Sequence, residues 1–210
     1  MTDYRIMDDL TVQAQELAEL IDSLPQWRRQ AALRHRHERG RRECCLSYLL
    51  LCDMLRDSFG IEAQPRFEVG RHGKPSLLLT DSPVADGVLG QGRAVTFNLS
   101  HCRNAIACVV SDTDEVGIDV ECTGRYTAAL ADYSMSEAEK RQIAVADDPD
   151  AEFTLLWTKK EALLKLTGEG ITDDLKTVLT SPRMEDVELF GGCCKEKGYA
   201  WSVAQRRRQP

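Results

Sequence analysis

In the first part of the chain the apolar residues Leu10, Ala14, Leu17, Leu20, Ile21 and Leu24 recur at close to a helical period, and Pro25 ends the run. A short basic helix is expected after it. Residues 42–59 are apolar around most of a helical circumference and are followed by Gly60, which predicts a buried helix with a glycine stop. The pattern then changes period. Residues 63–69, 76–80 and 94–98 carry β character between turns of Gly, Pro, Asp and Ser, and residues 105–110 and 116–121 read as two strands joined by Ser-Asp-Thr-Asp-Glu as a hairpin. Ser136 with Glu139 has capping-box spacing, and residues 153–167 predict a stronger helix that stops at Gly168. Strands are expected around residues 176–180, 187–190 and 199–204. Together these elements predict an α+β chain of two comparable halves, residues 1–104 and 105–210, packed closely with a cleft between them.

Charge narrows the function classes. The 210-residue chain has a formal net charge of −7, opposite to the excess of Lys and Arg that a general nucleic-acid binder uses against phosphates. Cations nevertheless concentrate at residues 28–42 and again at 206–208, so a local basic patch could meet an acidic protein or a phosphorylated small molecule, or simply form a solvated helix face. The eight cysteines show no CxxC and no zinc-like Cys/His spacing, which predicts reduced thiols used mostly as core filler. No apolar run approaches the roughly 18 residues of a spanning helix. The first residues also lack the order of a signal peptide, so a cytoplasmic protein is expected.

Four short motifs carry candidate chemistry. In Val116-Gly117-Ile118-Asp119-Val120-Glu121, strand alternation puts Gly117, Asp119 and Glu121 on one face. The two carboxylates then stand about 6.5 Å apart at the backbone, near enough to share one hard divalent cation. Taken alone, the hexapeptide also fits a strand with one wet face. Between Trp157 and Lys165, helical spacing lines Trp157, Glu161 and Lys165 along one stripe with Lys160 beside it, although a Glu/Lys pair in this order is also an ordinary helix stabiliser. Gly70-Arg71-His72-Gly73-Lys74-Pro75 is a turn able to receive a nucleotide or merely to connect strands. In Phe97-Asn98-Leu99-Ser100-His101 a hydroxyl and an imidazole end a strand where they could meet phosphate oxygens.

Read in order as GxxGKP, FNxSH, GIDVE and WxxKEAxxKxxGxG, these four motifs resemble the Sfp-type 4'-phosphopantetheinyl transferases of the holo-acyl-carrier-protein synthase superfamily. The resemblance runs from about Pro25 to Gly170, and its most specific blocks are GIDVE and WxxKEAxxK. It implies a pseudo-symmetric fold of two halves, each a small, mainly antiparallel sheet with helices. It also implies coenzyme A and Mg²⁺ in the cleft, and transfer of the phosphopantetheine arm to a serine of an apo acyl or peptidyl carrier protein by a monomer needing neither nucleic acid nor membrane. By the same resemblance Asp119, Glu121 and Glu161 hold the metal, and Lys160 and Lys165 meet the pyrophosphate. Gly73, Lys74 and Pro75 hold the adenosine end, and Ser100 and His101 meet a phosphate. Glu161 and Lys165 are the expected catalytic pair. Five arginines, Arg28, Arg29, Arg34, Arg36 and Arg42, are open candidates for the 3'-phosphate. Two other readings remain: a Mg²⁺-dependent nucleotide pyrophosphate hydrolase, which would use the same acids for water attack, and a non-catalytic regulatory or nucleic-acid module using the basic stretch.

Overall fold

The elements are taken from a computed structural model, which describes residues 1–62, 64–69, 75–78, 88–89, 93–168, 170 and 174–207. In chain order the first part contains β1 (Thr2–Met7), α1 (Ala14–Ser23), α2 (Gln26–Leu33), α3 (Glu38–Phe59), β2 (Arg66–Val69), β3 (Pro75–Leu78), β4 (Val88–Leu89), β5 (Arg93–Ala94), β6 (Thr96–His101) and β7 (Ile106–Ser111). The second contains β8 (Asp114–Cys122), α4 (Ala128–Ser134), α5 (Glu137–Val145), α6 (Pro149–Thr167), β9 (Val187–Cys194) and β10 (Tyr199–Arg207).

Local chemistry accounts for the helix ends. α3 closes at Gly60, which takes the left-handed conformation at φ 66° and donates its N–H to the Arg56 carbonyl. The Ser136/Glu139 capping box opens α5 as its spacing predicts, and α6 begins with Pro149 behind an Asp148 cap and stops at left-handed Gly168. α1 starts later than its apolar period suggests, because Leu10 and Val12 reach the core from the segment before the helix.

Two three-stranded antiparallel sheets, ordered β1-β7-β6 and β8-β10-β9, form the frame, and one long helix covers each: α3 the first, α6 the second. That repetition matches the two similar halves expected from the sequence, an α+β fold. β7 is buried along its whole length because both its faces are used. Ile106, Cys108 and Val110 pack toward Leu51, Met54 and Leu55 of α3, whereas Ala107 and Val109 meet Val116, Ile118 and Val120 of β8 between the sheets. On the far face of β8, Gly117 lets α6 approach: an added Cβ would collide with the Ala162 carbonyl oxygen and stand 2.5 Å from the Leu166 nitrogen.

Three expectations need correction. β7 and β8 do not form a hairpin. Both edges of β7 are already taken by β1 and β6, and Ser111 Oγ accepts the N–H groups of Thr113 and Asp114, turning the chain out of the first sheet so that β8 pairs with β10. For the same reason the chain changes sheet between Ser111 and Asp114, not at residue 104. The strand expected at residues 176–180 is a 3-10 helix, Leu175–Thr180, whose Leu175 and Val178 bury an i, i+3 edge against Leu163 and Leu164.

Candidate active site

β6 and β8 run side by side, and the polar residues of β6 stitch them together. Asn98 Oδ1 accepts the Ile118 N–H at 3.0 Å, and Ser100 Oγ donates to Asp119 Oδ1 at 2.8 Å. Both polar residues are buried, which the alternation of Phe97-Asn98-Leu99-Ser100 encodes: Phe97 and Leu99 face the α3 core while Asn98 and Ser100 face β8. Lys165, from the last turn of α6, donates to Asp119 Oδ1 at 2.7 Å and to Ser100 Oγ at 2.9 Å. Ser100 is thus committed to Asp119 and Lys165 here, instead of standing free.

A cavity of about 500 Å³ opens over this triad, with Asp119, Glu121 and Glu161 in its lining together with Lys165, Arg125 and Trp157. The helical stripe and the strand face inferred from the sequence therefore converge on one space. Asp119 is only 3% exposed and its Oδ2 is buried without a hydrogen-bond partner; Glu161 Oε1 is in the same condition. Burial, reinforced by the Asp119 charge, pushes the Glu161 carboxyl above the usual carboxylate range, and the same two causes raise Glu121, which accepts from Arg125 Nη1 at 3.3 Å. Hard carboxylate oxygens buried without donors are the donor set that suits a hard divalent cation. No group of three or more His, Cys, Asp or Glu side chains is already gathered as a metal cluster among the described residues.

The raised pKa fixes the sign of a pH effect. A carboxyl raised on folding destabilises the native state above its folded pKa, and that cost vanishes as pH falls toward the unfolded value. Without added divalent cation, Glu161→Gln should therefore be more stable than the wild type at pH 8, and its advantage should shrink as the pH approaches 5. Thermal melts across that range check this, and an advantage that grows on acidification would contradict it.

Lys160 is not in this cavity. Its side chain is fully buried on the other side of α6, where the ammonium donates to the Ser134 carbonyl at 3.0 Å, Glu139 Oε2 at 2.8 Å and the Leu175 carbonyl at 2.7 Å. All three N–H donors are used, so the expected pyrophosphate contact is replaced by a strut joining α4, α5 and the 3-10 helix to α6. Burial lowers the Lys160 pKa and Glu139 opposes that shift. Lys160→Met should cost about 3–5 kcal/mol, because it strands the Glu139 charge, and adding Glu139→Gln should recover part of the loss. Denaturant titration of both variants measures it.

The sequence singled out Glu139 only as a capping residue. Its N3 position in the box hides that Oε2 also faces α6.

A second cavity, about 850 Å³, adjoins the first: Leu99 and His101 line both. His35, His37, Arg28, Arg36 and Arg39 give it a basic wall, with Glu43 set among them. Arg28 is held there by the Cys44 carbonyl at 2.6 Å and by the ring of Tyr48, 5.5 Å from its guanidinium carbon. Glu43 lies 3.3 Å from Arg39 and 3.7 Å from the Nδ1 of His101. Of the other arginines proposed from the sequence, Arg29 pairs with Asp22 and Arg42 lines a different cavity beside Asp8, Asp9 and Lys197. Gly73 and Lys74 lie outside the described residues; Pro75 opens β3.

Residues 115–208, which hold both carboxylate motifs and the Lys165 stripe, match the model of the 4'-phosphopantetheinyl transferase superfamily. This chain is a relative of those transferases. It is 33% identical over 139 residues to 4'-phosphopantetheinyl transferase HetI of Nostoc sp., covering 62% of this chain and 54% of HetI. It is 31% identical over 153 residues to 4'-phosphopantetheinyl transferase psf-1 of Bacillus pumilus, covering 71% of this chain and 60% of psf-1. With 4'-phosphopantetheinyl transferase Sfp of Bacillus subtilis the identity is 24% over 173 residues, 80% of this chain and 71% of Sfp. The chain thus spans between half and two thirds of the length of HetI and psf-1. Among the described residues, no helix is long and apolar enough to cross a membrane.

Proposed function

We propose that this protein transfers the 4'-phosphopantetheine arm of coenzyme A to a serine of an apo acyl or peptidyl carrier protein, with Mg²⁺, releasing 3',5'-ADP. The observation that carries the reading is the cavity in which Asp119, Glu121, Glu161 and Lys165 converge with two buried carboxylate oxygens lacking partners, joined through His101 to a basic cavity. In this reading the first sheet and its helices take the nucleotide end, with Arg28, Arg36, Arg39, His35 and His37 facing the 3'-phosphate. The second sheet and α6 supply the acids. One chain lines both cavities, which suits a monomer, and the reaction needs no nucleic acid or membrane. The cytoplasm is its expected place of action.

Transfer to a hydroxyl is in-line attack on phosphorus, and positioning with charge neutralisation does most of the work. Asp119, Glu121 and Glu161 would hold the Mg²⁺, which when bound supplies neutralisation of the pyrophosphate oxygens. Lys165, anchored on Asp119 and Ser100, would donate to the departing phosphate. His101, shared by both cavities, would meet a phosphate from the side. Glu161, with a free buried lone pair and a raised pKa, accepts the serine proton directly or through a water.

The assay is nucleotide release from coenzyme A with and without an apo carrier. Release of 3',5'-ADP in step with carrier consumed is expected. Equal release without any carrier would favour a pyrophosphate hydrolase using the same acids.

A further inference from the structure

Between the two sheets, at the ends of β6 and β8, lies a pair of thiols that the transfer reaction does not use. Cys102 directly follows His101 at the end of β6, and Cys122 directly follows Glu121 at the end of β8, so each sheet contributes one. Both thiols belong to the apolar cluster between the sheets, and Cys122 is near enough to add to the effect of burial on the Cys102 thiol. A single carbonyl fixes the backbone on both sides of the pair: Gly198 O accepts from Asn104 Nδ2 at 3.2 Å and from the Thr123 N–H at 3.1 Å. Cys102 is 8% exposed, whereas Cys122 is half-buried and lines the acidic cavity.

We propose that Cys102 and Cys122 form a redox-modification site, which hydrogen peroxide converts to a disulfide tying the end of β6 to the end of β8. Cys122, the sulfur reachable from the cavity, attacks a peroxide oxygen; the O–O bond breaks, leaving a sulfenic acid and one water. The Cys102 sulfur then attacks the Cys122 sulfur, the S–O bond breaks, and the Cys102 proton leaves with the hydroxide as a second water. Two thiols lose two electrons and hydrogen peroxide gains them. Burial pushes the Cys102 thiol up to about 12, which makes it a poor first attacker and leaves that step to Cys122 on the cavity side.

Two competing pairings are poor. Cys193 and Cys194 are successive strand residues whose side chains point to opposite faces. Tyr199 stands between Cys122 and Cys194 in the sheet register, a separation of about 9.6 Å over two strand spacings, beyond disulfide reach.

The consequence for activity rests on the transferase reading above. In a disulfide the sulfurs must close to about 2.05 Å, pulling together the strand ends that carry His101 and Glu121. Displacements approaching 1 Å cost transfer reactions on the order of 10²-fold, so a fall of at least about tenfold is expected, reversed by dithiothreitol.

The test treats the reduced chain with hydrogen peroxide, alkylates free thiols, and maps cross-linked peptides by mass. The expected result is one peptide pair joining Cys102 to Cys122, absent from Cys102→Ser and Cys122→Ser, with carrier modification falling and recovering alongside it. A disulfide to another cysteine, or both thiols still alkylated after peroxide, would overturn the site. A Cys102–Cys122 link that leaves the transfer rate unchanged would overturn its effect on activity. A chain with no transfer activity before oxidation would count against the proposed function, and the peptide map would still decide the thiol site.

Discussion

Asp119→Asn should lower phosphopantetheine transfer by roughly 10²–10³-fold with the fold intact. Asp119 has more duties than any other acid in the cavity. Its Oδ1 anchors both Lys165 and Ser100, its Oδ2 is buried without a partner, and its charge helps raise both glutamates. Asparagine keeps the shape and one acceptor oxygen but removes the charge that holds Lys165 and would hold the metal. Loss of that charge should also bring the Glu161 pKa down. Steady-state rates, with calorimetric titration of Mg²⁺ in parallel, check the outcome. A rate within threefold of the wild type would remove Asp119 from the mechanism.

Gly117→Ala should be the most damaging conservative change in the framework. The collision is with the backbone of α6 at Ala162 and Leu166, so no flexible side chain can move aside. Seating the methyl group means pushing α6 off β8, at about 3 kcal/mol of stability, the upper part of the range for overpacking. Glu161 and Lys165 ride on that helix. A shift near 1 Å should therefore cost about 10²-fold in transfer even in the molecules that stay folded. Urea unfolding and kcat at saturating coenzyme A measure the two effects separately, and a variant matching the wild type in both would show that α6 is not seated on Gly117.

The sequence was most legible where a local period carried the information. Alternation in residues 116–121 identified the face that bears Asp119 and Glu121, and helical spacing identified Trp157, Glu161 and Lys165 as one stripe; both line the same cavity. It was least legible where the partner is distant in sequence. Lys160 has the same spacing relations as a cleft residue. Only its position on the buried side of α6, against Ser134 and Leu175, makes it a strut. The 105–110 and 116–121 runs look like a hairpin because nothing in residues 105–121 announces that β1, about a hundred residues earlier, takes the edge that β8 would need. Ser100 looks like a phosphate contact in the sequence because a hydroxyl at a strand end is chemically versatile; its commitment to Asp119 depends on how β6 and β8 are stacked.

The central claim is best tested by intact-mass analysis of an apo carrier protein incubated with this chain, coenzyme A and Mg²⁺. The expected result is a gain of one phosphopantetheine on the carrier serine, suppressed by chelation of the metal and by Asp119→Asn. A carrier that stays at its apo mass while the wild-type chain is folded and bound to coenzyme A would contradict it.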